Sequence, residues 1–152
     1  MSLKAQSVIL KSFQDLDKEE LYKFLQLRIE VFVVEQNCPY QDCDHKDKLS
    51  FHLLGYYNGV LVAYLRIVDP GISFKEVSIG RVVTKAKYRG QGLGKVLMLK
   101  AIESVIRLYD SHAIRISAQQ YLTPFYESLN FITVGEGYLE DDIPHIEMIH
   151  KD

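Results

Sequence analysis

The segment that most restricts the possible folds runs from residue 77 to about residue 108. It begins with VSIGRVVT (77–84), a strand rich in β-branched residues. KYRGQGLGK (87–95) follows, with three glycines and three cations in nine residues. From Gly92 onward Leu93, Val96, Leu97, Ala101, Val105 and Leu108 recur at helical spacing and define an amphipathic helix. AIRISA (113–118) is the next strand. Such a β–α–β unit gives one parallel strand pair, with the glycine loop at the exit of the first strand.

The flanking sequence adds mostly antiparallel elements. SVILKSF (7–13) reads as a first strand, and Asp17 with Glu20 forms a capping box for a helix. Leu21, Phe24, Leu25, Ile29, Phe32 and Val33 would be that helix's apolar face. NCPYQDCDHKDK (37–48) reads as a polar loop. FHLLGYY (51–57) and VLVAYLRIV (60–68) flank Asn58-Gly59, a strong hairpin signal. LTPFYESL (122–129) is a short helix, and FITVGEGY (131–138) and IPHIEMIH (143–150) are closing strands. The expected fold is α/β in the α+β sense: one mixed, mostly antiparallel sheet with one parallel pair, flanked by helices. At 152 residues without repeat or linker, the chain reads as one domain.

Composition bounds the function. A net charge of -2 argues against general affinity for nucleic acid or anionic membranes. No apolar run is long enough to span a bilayer, and MSLKAQSVILKSF lacks the features of a signal peptide. Two cysteines make no disulfide framework, so the expected location is the cytoplasm.

Spacing excludes two familiar phosphate motifs for the glycine loop. A P-loop needs four residues between its first glycine and Gly-Lys, followed by Ser or Thr; Gly90 and Gly94 enclose three, and Val96 follows Lys95. The dinucleotide fingerprint is G-x-G-x-x-G, whereas Gly90, Gly92 and Gly94 follow G-x-G-x-G. The setting still suits an anion. First-turn amides of a helix lack internal partners, the helix dipole is positive there, and glycine lets a ligand approach the backbone. Lys85, Lys87, Arg89 and Lys95 add local positive charge. A simple strand-to-helix turn with surface lysines satisfies the spacing nearly as well.

Arg89-x-x-Gly92-x-Gly94, after VVT and before an amphipathic helix, resembles the acyl-CoA pyrophosphate motif of the GNAT superfamily of N-acyltransferases. FYESLNF (125–131) is similar to that superfamily's late signature. Arg28-x-x-Val31-Phe32-Val33-Val34-Glu35-Gln36, Cys38-Pro39-Tyr40-x-Asp42, Ile79-Gly80-Arg81-Val82, Ala118-Gln119 and Ile143-Pro144-His145-Ile146 resemble the ElaA-type branch. The resemblance implies acetyl-CoA as donor, a small-molecule or peptide amine as acceptor, and no metal. It assigns the pyrophosphate to the amides of Arg89, Gly90, Gln91, Gly92, Leu93, Gly94 and Lys95, and the pantetheine arm to backbone groups of Val82, Val83 and Thr84 where the parallel strands splay. Gln119 stands where many members have Asn, Asn130 replaces the usual Gly, and Lys85-Ala86 replaces a frequent His-Pro.

Acetyl transfer to an amine needs a base for the ammonium, hydrogen bonds for the tetrahedral intermediate and a donor for the thiolate. A tyrosine, with a pKa of about 10, is protonated at neutral pH and can donate. Tyr126 matches the family tyrosine near the sulfur; the competing reading has it packing with its hydroxyl at the surface. Candidate bases are Glu35, His145, Glu76 and His52, while His45, His112 and His150 read as structural or surface groups. Arg28 and Glu35, seven residues apart on one helical face, serve either the acceptor site or a surface ion pair or cap. Cys38, Cys43 and His45 supply only three metal ligands, and Asp42-x-Asp44 lacks the rest of an EF-hand, so a solvated loop is the expectation. The acidic turn with Glu136, Glu140, Asp141 and Asp142 could bias the acceptor toward a cation or simply be solvated. A non-catalytic acyl-CoA sensor on the same fold is the alternative function. The oligomeric state, a dimer included, stays open.

Overall fold

The computed structural model describes residues 6–111 and 113–150; His112 lies outside the described residues. Its elements follow the order expected from the sequence: β1 (Gln6–Ser12), α1 (Lys18–Arg28), β2 (Ser50–Tyr57), β3 (Val60–Val68), β4 (Ser78–Thr84), α2 (Leu93–Tyr109), β5 (Ile114–Gln119), α3 (Thr123–Glu127), β6 (Phe131–Glu140) and β7 (Ile143–His150). The strands form two antiparallel sheets, β1-β2-β3-β4 and β5-β7-β6. They meet at one parallel bridge, Val77 to Ile114, reinforced where Arg115 N donates to Val77 O at 2.9 Å. The expected parallel pair is therefore touched at one end and open beyond it.

Local sequence explains the connections. Asp17 caps α1 with the full capping box, its side chain accepting from Glu20 N while Glu20 accepts from Asp17 N. Asn58 (φ 49°) and Gly59 (φ 78°) occupy the left-handed region that a two-residue hairpin turn requires. Asn130 (φ 70°) takes the same conformation after α3, where asparagine substitutes for glycine at modest cost.

β3 is buried on both faces, so it reads as a continuous apolar run. Ala63, Leu65 and Ile67 pack under Leu97, Met98, Ala101 and Val105 of α2. Tyr64 and Leu61 pack on the other side, against Phe24, Leu27 and Val31. Each such large side chain removed from water contributes about 1.5–3 kcal/mol.

Two helical faces differ from their expected stripes. The chain continues past α1 as a π-helical segment, Ile29–Glu35, in which β-branched residues crowd. The buried stripe runs through Phe24, Leu27 and Arg28 of α1 to Val31 of the π-helical segment, and Ile29 is exposed. In α2 the buried set includes Met98 and Ser104, while Val96 and Leu108 lie at the margin. No helix among the described residues is long and apolar enough to cross a membrane.

Candidate active site

The splay between β4 and β5 opens a cleft of about 1220 Å³. One of its walls is the outer edge of β4. That strand carries a bulge where Gly80 pairs with Arg66 but Val83 with Tyr64, and Arg81 (φ 52°) takes the left-handed conformation there. Past the bulge, residues 82–84 line the cleft. The chain then passes through Ala86–Tyr88, a short 3₁₀ turn, into the glycine loop.

Gly90 (φ 80°) and Gly92 (φ 77°) adopt conformations that favour glycine, with no protein atom within 4 Å of where a Cβ would sit. Gly92 is the N-cap of α2 and offers no side chain to its first turn. The first backbone bond of the helix is Val96 N to Gly92 O, so the amides of Leu93, Gly94 and Lys95 have no intrahelical acceptor. Three orphan N–H groups at the positive end of a 17-residue helix can hold a phosphate. The cationic patch is less free than its sequence suggested. Arg89 donates through both terminal nitrogens to Glu35, at 2.5 and 3.1 Å, and through Nε to Thr84 O. Lys85 pairs with Glu30 at 3.3 Å. The residues present thus fit a pyrophosphate mainly through backbone amides.

Tyr126, on α3, lines the same cleft and is 6% exposed. Phe125 and Phe131 meet its ring edge-on, at centroid distances of 5.1 and 5.9 Å. Burial pushes its phenol well above the usual range, so it holds its proton at neutral pH. It does not lie at the surface.

The opposite half of the cleft is bounded by the segment after α1 and by the β6–β7 hairpin. Gln36 and Gln119 exchange amide hydrogen bonds of 3.3 and 3.4 Å across it. Cys38 Sγ contacts Asp141 O at 3.4 Å. His145 lines this part, with Nδ1 2.6 Å from Ile143 O and Nε2 3.3 Å from Glu140 Oε2.

The 37–48 segment is not the solvated loop expected from its polarity. Arg28 is fully buried; its Nε donates to Asp42 Oδ2 at 2.9 Å and its Nη1 to Asp47 Oδ1 at 2.8 Å. Arg66 donates to Asp44 and Asp47, and Arg81 Nε lies 3.0 Å from Asp42 Oδ1. Tyr40 completes the cluster through its hydroxyl to Asp42. Burial alone would raise the Asp44 and Asp47 carboxyls, but hydrogen bonds and charge from Arg66 at Asp44, and from Arg28 and Arg66 at Asp47, hold both below the usual range. Three arginines and three aspartates therefore pin the loop to β3 and β4. Arg28 belongs to this buried network, which overturns its reading as a surface ion or cap.

The remaining candidates fall elsewhere. His52 is buried outside the cleft lining, with Nδ1 2.7 Å from Tyr64 Oη and Nε2 2.8 Å from Asp47 O; burial lowers its basicity. Glu76 pairs with Arg115 beside the parallel bridge. Buried His150 lies 5.1 Å from the Phe131 ring, and His45 is exposed. Sequence reading missed Arg66, Tyr40 and the Gln36–Gln119 pair. A lone arginine inside the apolar run VLVAYLRIV was the available signal, because a buried charge needs a partner.

Comparison with known proteins agrees with this architecture. Residues 13–151 match the family model described as acetyltransferase (GNAT) domain. The protein ElaA of Escherichia coli K12 is 45% identical over 139 residues, covering 90% of this chain and 91% of its own. The crystal structure of an acyl-CoA N-acyltransferase from Pseudomonas aeruginosa superposes with a TM-score of 0.90 at 46% identity, over 95% of this chain and 99% of that one. Escherichia coli ElaA, as a crystal structure, also gives 0.90, at 40% identity over 96% of this chain and 99% of its own. An open cleft, a glycine-capped helix beside it and a match over nearly the whole length lead to one assignment: the chain belongs to the GNAT acetyltransferase family, whose chemistry is acyl transfer.

Proposed function

We propose that this protein transfers the acetyl group of acetyl-CoA to a primary amine by direct attack while donor and acceptor are bound together. The observation that carries the reading is the shared cleft: the uncapped N-terminus of α2 opens into it, the unpaired edge of β4 runs along it, and protonated Tyr126 lines it. Acetyl-CoA supplies an activated thioester. The amides of Leu93, Gly94 and Lys95 hold its pyrophosphate, with those of Arg89, Gly90 and Gln91 beside them. Backbone groups of Val82, Val83 and Thr84 receive the amides of the pantetheine arm. Gln119, held by Gln36, orients at the same wall. Tyr126 gives its proton to the leaving sulfur and is reprotonated from solvent. The acceptor approaches from the side bounded by Gln36, Cys38 and the β6–β7 turn. Two thiols free of any disulfide favour a reducing, cytoplasmic setting.

Thermal stabilisation by acetyl-CoA and CoA, with none by ATP or NAD, tests the binding part. Ligand at about one hundred times Kd raises stability by about 2.7 kcal/mol. Thiol release from acetyl-CoA across an amine panel tests the reaction. Binding without release by any amine would leave a non-catalytic acyl-CoA sensor instead, and no stabilisation by either CoA species would sink both.

A further inference from the structure

Attack by an amine requires a group that takes the ammonium proton. Resting on the acetyltransferase reading, we propose that His145 and Glu140 together form this proton acceptor, held in place by Tyr138, Ser117 and Gln120. Nδ1 of His145 faces the Ile143 carbonyl at 2.6 Å. A carbonyl oxygen can only accept, so the proton of the neutral ring sits on Nδ1 and the lone pair on Nε2. That lone pair faces Glu140 Oε2 at 3.3 Å. A proton that Nε2 takes up therefore lies directly against the carboxylate, and the ring then has an oxygen facing each of its nitrogens.

The surroundings fix this geometry. Tyr138 pairs with His145 in the β6–β7 register and stacks on its ring at 6.2 Å and 22°. The Tyr138 hydroxyl bonds Ser117 Oγ, which lies 3.5 Å from Glu140 Oε1. Gln120 Nε2 donates to the His145 carbonyl at 3.3 Å. Gln120 reaches it only because residue 137 is glycine: a Cβ there would sit 1.8 Å from that nitrogen. On β5, Gln119 stands opposite His145, and on its own strand Glu147 is neutralised by Arg115 at 3.0 Å. Glu140 is half exposed, which gives the captured proton a route to water. Glu35, the rival, has both carboxylate oxygens engaged by Arg89. In the step, one N–H bond of the ammonium breaks, the nitrogen keeps the electron pair and an H–Nε2 bond forms.

Nitrogen-15 NMR of the histidine rings, assigned with His145→Gln, should show the Nδ1–H tautomer for neutral His145; an Nε2–H tautomer overturns the proposal. Thiol release from acetyl-CoA is then followed with n-butylamine and an Nα-blocked lysine as acceptors. His145→Gln should lower kcat/KM about 100-fold near neutral pH. The deficit should shrink as pH rises toward about 10, where the amine deprotonates unaided. Glu140→Gln, at a half-exposed position that leaves the fold intact, should show the same narrowing on a smaller deficit. A deficit constant with pH in both variants marks a structural role and overturns the proposal. Failure of the acetyltransferase reading itself looks different: the wild type releases no thiol with any amine.

Discussion

Tyr126 and the loop glycines are single residues at which the proposed division of work in the cleft can be tested. Replacing Tyr126 by Phe removes one hydroxyl and keeps the ring packed against Phe125 and Phe131. General-acid catalysis is typically worth 10²–10⁴-fold, so kcat should fall about 100-fold or more while acetyl-CoA affinity by titration calorimetry stays unchanged. Gly92 and Gly94 should separate backbone strain from ligand clearance. Gly92→Ala forces φ 77° on a residue with a Cβ and should cost about 1–2 kcal/mol in denaturant unfolding. Gly94→Ala meets only ordinary contacts, Phe125 at 3.7 Å and Thr84 at 3.8 Å, so its stability should hold. Its methyl group would still stand beside the amides assigned to the pyrophosphate, and CoA affinity should drop at least tenfold. These residues were legible in the sequence because glycine spacing and a local signature need no distant partner.

At the scale of elements, the 37–48 segment was misread. Its composition is that of a solvated loop, and its carboxylates invited a metal. Its true partners, Arg28, Arg66 and Arg81, lie on α1, β3 and β4, far away in sequence. Burying those charges is favourable only when all are present together. Removing one partner of a buried pair typically costs 3–5 kcal/mol, so Arg28→Met should destabilise by about 3 kcal/mol in urea. The pH dependence follows from the depressed carboxyls of Asp44 and Asp47. A group whose pKa is lower in the folded state adds stability above its unfolded value and loses it as pH falls toward the folded one. Stability should therefore decline as pH drops below about 4, and Asp47→Asn should flatten that decline while lowering the plateau. Lowered basicity of buried His52 has the same sign at higher pH: stability falls below about 6.5, a limb that His52→Gln should remove.

At the scale of the molecule, two antiparallel sheets share one parallel bridge, and the opening beyond Val77 and Ile114 is the candidate site. Backbone groups left without a ladder partner exchange their hydrogens readily until a ligand accepts or donates to them. Acetyl-CoA should slow amide exchange at residues 82–84 and 93–95 and leave the β2–β3 ladder unchanged, as hydrogen–deuterium exchange by mass spectrometry can read. Protection spread evenly over both sheets would instead mark a global stabilisation. Element order, the Asn58-Gly59 hairpin, the capping box and the glycine turn were all written in short-range signals: periodicity, turn residues and caps act within a few positions. Three features depended on tertiary packing rather than on short-range signals: the gap between β4 and β5, the arginine–aspartate clasp on the loop, and the meeting of His145 with Glu140 across a bulged hairpin. Their energies arise from desolvation and geometry that exist only once the chain has folded, so a local pattern could suggest the loop proposed for the donor while the wall proposed for the acceptor emerged from packing.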